Sequence, residues 1–304
     1  MSAVEYGDIE FMDQPASVLE KTFRHSGWAA RRRRVFDAMV RTMQPLPRRN
    51  RFAECGAGLW VQMRDDHQDI RLVANCCHDR FCIPCGNARA AVLLGNLRRK
   101  VADLRPLFVT FTLRHSPTPL KDQIDRLFRS FLALRRRAFF KDRVRGGAAF
   151  LELKISSKDG LWHPHLHILA DGSFLPHADL AAEWHAITGD SSIVDVRRPP
   201  DVAQVASYVT KYVTKPADST VFDHPDKLDE MIIALKGRHL VECFGTWRGL
   251  KLLKPEHDGH AWVQKAPLER LIQAALHGDP QSRSLLEAVI RKYPSVGEIR
   301  PPPE

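Results

Sequence analysis

Ala149-Phe150-Leu151-Glu152-Leu153-Lys154-Ile155, the link Ser156-Ser157-Lys158-Asp159-Gly160, and Leu161-Trp162-His163-Pro164-His165-Leu166-His167-Ile168-Leu169 read as the two arms of one β-hairpin. Successive side chains of a strand point to opposite faces. The first arm therefore turns Leu151, Leu153 and Ile155 to an apolar face and Glu152 and Lys154 away from it. The second turns Leu166 and Ile168 to the core and His163, His165 and His167 to the opposite face. Asp-Gly is a strong hairpin turn, because glycine accepts the positive φ such turns require. A two-residue Asp159-Gly160 loop pairs Lys158 with Leu161 and sets Glu152 opposite His167. Two neutral imidazoles and a carboxylate can hold a divalent ion by three positions, leaving others for water or a phosphate oxygen. Glu152, His165 and His167 are the candidate ligands. His163 precedes a proline and suits a geometric role, while His115, just after the strand Phe108 to Leu113, is a further candidate.

Downstream, Pro199-Pro200-Asp201 marks a helix start with Asp201 as N-cap. At about 100° per residue, Val202, Val205, Ala206, Val209 and Val213 form one apolar stripe. Tyr208 and Tyr212 then lie one turn apart at its flank, with Lys211 and Lys215 just beyond. Phenols beside cations suit a nucleophile directed at a phosphate. Between residues 107 and 215 strands and helices alternate in mixed order (strands 107–114, 148–156, 162–169 and 192–198; helices 119–139, 177–188 and 201–215). That order predicts an α+β fold with a central antiparallel sheet flanked by helices.

Four of the six cysteines fall between Cys76 and Cys85. Such crowding suits a metal site better than a disulfide framework in a chain this long. Cys82-x-x-Cys85 has zinc-knuckle spacing, and Cys77 and Cys55 complete a tetrahedral set, with Cys76 or His78 able to replace either. The expected cofactors are thus a structural Zn²⁺ here and Mg²⁺ or Mn²⁺ at the histidines. The expected organisation is a basic helical segment (1–50), a small zinc module with its helix (51–105), the sheet domain (106–254) and a C-terminal helical extension (255–304). Arg31-Arg32-Arg33-Arg34 gives the first helix a basic edge, a candidate DNA-backbone contact.

The formal charge is +10, which favours a polyanionic partner through counterion release. No apolar run reaches bilayer length, Met1 to Tyr6 lacks the pattern of a secretory leader, and the expectation is a cytoplasmic protein without membrane contact. A GxxxxGK[ST] nucleotide loop is absent.

The His-Pro-His-Leu-His-Ile-Leu run followed by Tyr-Val-Thr-Lys-Tyr-Val-Thr-Lys resembles the HUH endonuclease superfamily, specifically rolling-circle replication initiators. Phe108 to Leu113, Glu183-Trp184, Thr188 to Ser191 and Val194 to Arg197 also match, and Gly237-Arg238 and Phe244-Gly245 match more weakly. The resemblance implies an RRM-like palm and a metal held by His165 and His167. It also implies nicking of single-stranded or hairpin origin DNA by a tyrosine that stays joined to the 5′ phosphate, with a host helicase to open the strands and a host DNA polymerase to extend the 3′ end. Single-tyrosine members carry a glutamate four residues before the nucleophile. Tyr208 stands there, which implies a two-tyrosine mode with Tyr212 as main nucleophile and Lys211 or Lys215 steadying the phosphate charge. A two-tyrosine transposase shares this chemistry, and a zinc-containing DNA-binding protein without nuclease activity is the alternative of another class.

Overall fold

The computed structural model describes residues 29–101, 104, 106–199, 217, 219–249 and 260–297. In chain order its elements are α1 (Ala29–Arg41), α2 (Leu46–Ala53), β1 (Trp60–Arg64), β2 (Ile70–Val73), α3 (Ile83–Val101), β3 (Leu107–Thr112), α4 (Leu120–Arg136) and α5 (Ala138–Lys141). There follow β4 (Val144–Ile155), β5 (Trp162–Gly172), α6 (His177–Thr188), β6 (Val194–Arg197), a 3₁₀ turn at Ser219–Asp223, α7 (Pro225–Ala234) and β7 (Val241–Gly245). The last are β8 (Trp262–Pro267), α8 (Leu268–Leu276), α9 (Pro280–Lys292) and α10 (Pro294–Gly297). The chain divides into two units, Met1–Cys85 with Glu256–Glu304, and Gly86–Pro255. The fold is α+β, with antiparallel sheets flanked by helices. Among the described residues no helix is long and apolar enough to cross a membrane.

The first unit holds a three-stranded antiparallel sheet in the order β2-β1-β8. Trp60 pairs with both Val73 and Pro267, so the C-terminal segment expected to stand apart as a helical extension supplies an edge strand here. Val61, Leu72, Leu268, Leu271 and Val289 make its core. The apolar period of β8 is masked by its composition, Trp-Val-Gln-Lys-Ala-Pro, whose middle residues are exposed. An exposed edge strand needs no strict alternation. Helix α9 starts on conventional chemistry, the Asp279 carboxylate accepting from Ser282 N at 2.8 Å ahead of Pro280.

Helix α1 buries Val35, Phe36, Ala38 and Met39. At 100° per residue a run of four arginines cannot share one edge. Arg32 turns inward and is 6% exposed, its guanidinium donating to the carbonyls of Phe52 (2.8 Å) and Cys55 (3.2 Å) at the end of α2. It satisfies carbonyls a helix end leaves open. The DNA-contact reading is thereby corrected for Arg32; Arg31 is half-buried, and Arg33 and Arg34 are exposed.

The second unit is built on a five-stranded sheet in the order β6-β3-β5-β4-β7, with every neighbouring pair antiparallel. On one face Val109, Phe111, Leu151, Leu153, Leu166 and Ile168 are buried, and α4 and α6 pack there. The Phe111 ring lies 5.8 Å from Phe131 of α4 and 4.6 Å from Trp184 of α6. Trp184 is fully buried and donates from Nε1 to Thr112 O at 3.0 Å. Burying such rings contributes roughly 2–3 kcal/mol each. The other face is divided along its length. Phe108, Ala148, Phe150 and Leu169 form one end with Leu97 and Val101 of α3 and with Trp247. Thr110, Thr112, Glu152, His165 and His167 continue the same face toward the other end, because alternation holds through β3, β4 and β5.

Candidate metal centres

The hairpin forms with a longer link than expected. Ile155 pairs with Trp162, Ser156 N donates to Leu161 O (2.9 Å), and Gly160 N donates to Ser156 O (2.9 Å) with Gly160 at φ +67°. Asp159 Oδ1 accepts from Leu161 N rather than serving a two-residue turn. The register is accordingly displaced by two, and Glu152 stands opposite His165, not His167. A displacement of two keeps every side chain on its face, so the three candidates still meet.

Ligand atoms of Glu152, His165 and His167 all lie within 4.8 Å of one another. Glu152 Oε2 reaches diagonally to His167 Nε2 at 2.9 Å and also meets Lys154 Nζ at 3.2 Å. Both imidazoles are oriented from β3, Thr110 Oγ1 lying 3.0 Å from His167 Nδ1 and Thr112 Oγ1 3.4 Å from His165 Nδ1. Contacts to Nδ1 leave each Nε2 available as the ligand atom, the usual support of a metal-binding histidine. His165 Nε2 is buried with no hydrogen-bond partner. A buried orphan nitrogen beside a carboxylate and a second imidazole fits a divalent cation. Burial, aided by the neighbouring His163 and Lys154 charges, holds His165 down at about 3, so it is neutral and ready to coordinate. Burial by itself would raise Glu152, but the hydrogen bond and charge of His167, with Lys154, outweigh it and hold the carboxyl at about 2.

His163 lies beyond the triad, its ring 4.3 Å from His165 and 4.0 Å from His115. Burial and the nearby His115 charge lower it to about 4. His115 is not among the converging groups, and its Nδ1 pairs with Asp159 Oδ2 at 3.1 Å. The two threonines escaped the sequence reading. Their signal was the Thr-x-Thr alternation of β3, legible only once β3 is known to neighbour the histidine strand. Tyr208, Lys211, Tyr212 and Lys215 lie outside the described residues.

The second centre is in the other unit. Cys55, Cys77, Cys82 and Cys85 are buried with their sulfurs within 4.8 Å of one another, the four expected from spacing. Cys55 lies 3.6 Å from Cys82 and 3.5 Å from Cys85, and Cys77 lies 3.6 Å from Cys85. These separations are far beyond a disulfide bond and close to the roughly 3.8 Å edge of a tetrahedron with Zn–S bonds near 2.3 Å. The buried cluster can therefore bind a metal such as zinc.

Local turns bring distant cysteines together. Gly56 at φ +92° lets Gly56 N reach Asn75 O (2.9 Å) while Asn75 N donates to Ala57 O (3.0 Å), setting Cys55 beside Cys77. Asp79 N donates to Cys77 Sγ at 3.4 Å, and the Asp79 carboxylate accepts from Phe81 N and from Arg48 Nε. Cys85 sits in the first turn of α3, where the helix dipole favours a thiolate. Crowding by Cys55 and Cys85, together with burial, pushes Cys77 and Cys82 up, and Cys82 adds to the rise of Cys77. Cys55 also raises Cys85, but Cys77 and Cys82 outweigh it and bring Cys85 to about 5. Cys76 is a near neighbour, 3.3 Å from Cys85 and 3.7 Å from His78 Nδ1, outside the convergent four. Comparison with family models, curated proteins and solved structures gave no match for this chain.

Proposed function

We propose that this protein is a metal-dependent DNA nickase and strand transferase of the HUH type that initiates rolling-circle replication of a plasmid or phage. The observation that carries the reading is the convergence of ligand atoms of His165, His167 and Glu152 on one sheet face, each imidazole supported through Nδ1 by a threonine. An antiparallel sheet flanked by helices supports the palm expected for such enzymes.

In this reading the nucleophile is a tyrosine of Tyr208 or Tyr212. The described flanks of that segment are compatible with the site. Arg197 ends β6 beside β3, on one side of the histidine strand, and Ala217 bridges Leu153, next to Glu152, on the other. The phenol oxygen attacks the scissile phosphorus and the bond from phosphorus to the 3′ oxygen breaks. The phenolic proton passes to solvent or the departing 3′ oxygen, leaving a 5′-phosphotyrosine and a 3′ hydroxyl for a host polymerase. A divalent cation, Mg²⁺ or Mn²⁺, supplies Lewis-acid polarisation of the phosphate when bound by Glu152, His165 and His167. Thr110 and Thr112 hold the imidazoles in place, and Lys211 or Lys215 adds charge to the pentavalent transition state. The four-cysteine site, holding Zn²⁺, shapes a separate module.

The test is incubation with single-stranded oligonucleotides tiled across the DNA flanking the gene, with Mn²⁺, followed by a denaturing gel and peptide mapping. A covalent adduct mapping to Tyr212 or Tyr208, lost in the double Tyr→Phe variant, is expected. DNA binding without cleavage in Mg²⁺ or Mn²⁺ would instead identify a zinc-containing DNA-binding protein. Adducts mapping elsewhere would remove the tyrosine mechanism. A transposase role shares this chemistry and is distinguished by whether the cognate hairpin lies at a replication origin or at element ends.

A further inference from the structure

We propose that a basic cleft on the second unit, remote from the histidine centre, is a distinct binding site for the phosphodiester backbone of a nucleic acid. The cleft encloses about 420 Å³ where the end of α4, α5 and the start of β4 meet the end of β7 and the turn after it. Arg135, Arg136, Lys141, Arg145 and Arg248 line it together with Phe244. Arginines at a helix C-terminus are common, because they complement the dipole. Arg145 and Arg248 have no such reason, as they arrive from a strand and a turn.

The chain is shaped to gather them. Gly245 adopts φ +58°, and a Cβ there would stand 2.2 Å from Arg145 O, while a Cβ on Gly146 would stand 2.6 Å from Thr246 N. Glycine at both positions lets β4 and the β7 turn approach closely enough for Thr246 N to bond Arg145 O at 3.0 Å, and Arg248 N then donates to Gly245 O. Two of the five cations have carboxylates, Arg145 with Asp171 (2.6 Å) and Arg135 with Glu242 (3.6 Å). Arg136, Lys141 and Arg248 are exposed and have no ion-pair partner among the described residues.

Arg135 is the most constrained of the group. Its guanidinium lies 5.1 Å from the centroids of both Phe131 and Phe244, and its Nε is buried without a hydrogen-bond partner. A stacked guanidinium presents a fixed fork of donors, the geometry that recognises phosphate. The three cations without a carboxylate repel one another and the two that are paired unless an anion arrives, and a cleft of this volume is several times larger than one phosphate group. The ring on its floor is buried under Arg135, so it offers no platform for a base; recognition is of the backbone and independent of sequence. Along β4, Arg145 stands roughly 23 Å from Glu152 at 3.3 Å per residue. Binding here stands whether or not the histidine centre cleaves DNA.

The experiment measures fluorescence anisotropy of a labelled duplex over a range of salt, without added divalent cation. It compares the full chain, the triple variant Arg136→Ala, Lys141→Ala, Arg248→Ala, and a charge-matched control, Lys236→Ala, Lys265→Ala, Arg270→Ala, all at exposed positions. The cleft variant is expected to bind at least about tenfold more weakly and to lower the slope of log K against log salt by about 2–3, near 0.9 for each phosphate no longer neutralised. The control should retain wild-type affinity and slope. Equal losses in both triples would show that only net charge matters, and an unaffected cleft variant would remove the site; either overturns the proposal. Displacement of the duplex by millimolar inorganic phosphate at constant ionic strength would mean a single-anion pocket. Equal competition by polyglutamate of matched charge would mean a preference for acidic protein. Both would also overturn it.

Discussion

The cysteine cluster takes its ligands from the residue after a helix end, a loop and the first turn of α3, whereas the histidine cluster takes its three from adjacent strands in the middle of a sheet. Backbone pairing already fixes Glu152, His165 and His167, and threonine contacts fix the rings. Nothing comparable fixes Cys55 beside Cys85, thirty positions on, except short turns and the sulfur contacts themselves. A closed four-sulfur set suits a structural ion, and a three-ligand set that leaves coordination positions over suits a reacting one. The contrast teaches that one unit should depend on its metal to stay folded and the other should not.

The largest expected effect breaks the first half of that contrast. Cys82→Ser should lose one equivalent of zinc per chain and leave the first unit unfolded at room temperature, since a structural zinc site contributes on the order of 10 kcal/mol to the folded state. Zinc content by mass spectrometry and limited proteolysis of the first unit measure it. Retention of both zinc and protease resistance would mean that the turns alone hold the module.

The next effect separates the two histidines. Loss of either ligand should reduce nicking by more than the roughly 10- to 100-fold expected when a supporting group is removed, as in Thr110→Val. Their stabilities should differ. His167→Ala strips the buried Glu152 carboxylate of its imidazole partner, a loss of about 1–3 kcal/mol, whereas His165→Ala removes an Nε2 without a hydrogen-bond partner and only the longer Nδ1 contact to Thr112. Parallel thermal melts and nicking rates check this. Equal destabilisation by the two would show that Lys154 compensates for Glu152.

Spacing made the cysteine site legible, because Cys-x-x-Cys and two further thiols admit few arrangements, although the turn through Gly56 that recruits Cys55 is tertiary. Strand alternation made the histidine face legible, and the error was one of register. Asp-Gly suggested the tightest loop, but Asp159 bonds Leu161 N and Gly160 caps a wider turn, so the pairing moved by two and the face survived. Arg32 was not legible as a buried donor, since the carbonyls it satisfies belong to the end of α2. Nor was β8, an exposed edge strand that finds its partner about two hundred residues away in sequence, at Trp60 to Arg64.

The smallest expected effect sharpens the contrast through pH. His165 titrates at 6.5 in the unfolded chain and about 3 in the folded one, and Glu152 at 4.5 and about 2. In both cases the unfolded state holds more protons between the two values, so this contribution to the stability of the metal-free second unit is complete above about 6.5 and declines as acid is added, through about 3 for His165 and about 2 for Glu152. At this centre His165 and Glu152 should add little proton competition to metal uptake between pH 8 and about 5, because the folded His165 is already neutral and Glu152 already ionised, leaving His167 as the one ligand whose proton the ion competes with. The cysteine site should depend on pH more steeply. Crowding and burial raise Cys77 and Cys82, so their protons compete with the ion throughout, and zinc should leave progressively as pH falls over the same interval. Titrations of zinc release and of Mn²⁺ binding on one sample compare them directly. A histidine centre that loses Mn²⁺ as steeply as the cysteines lose zinc would show that its strands do not hold the ligands ready without the ion.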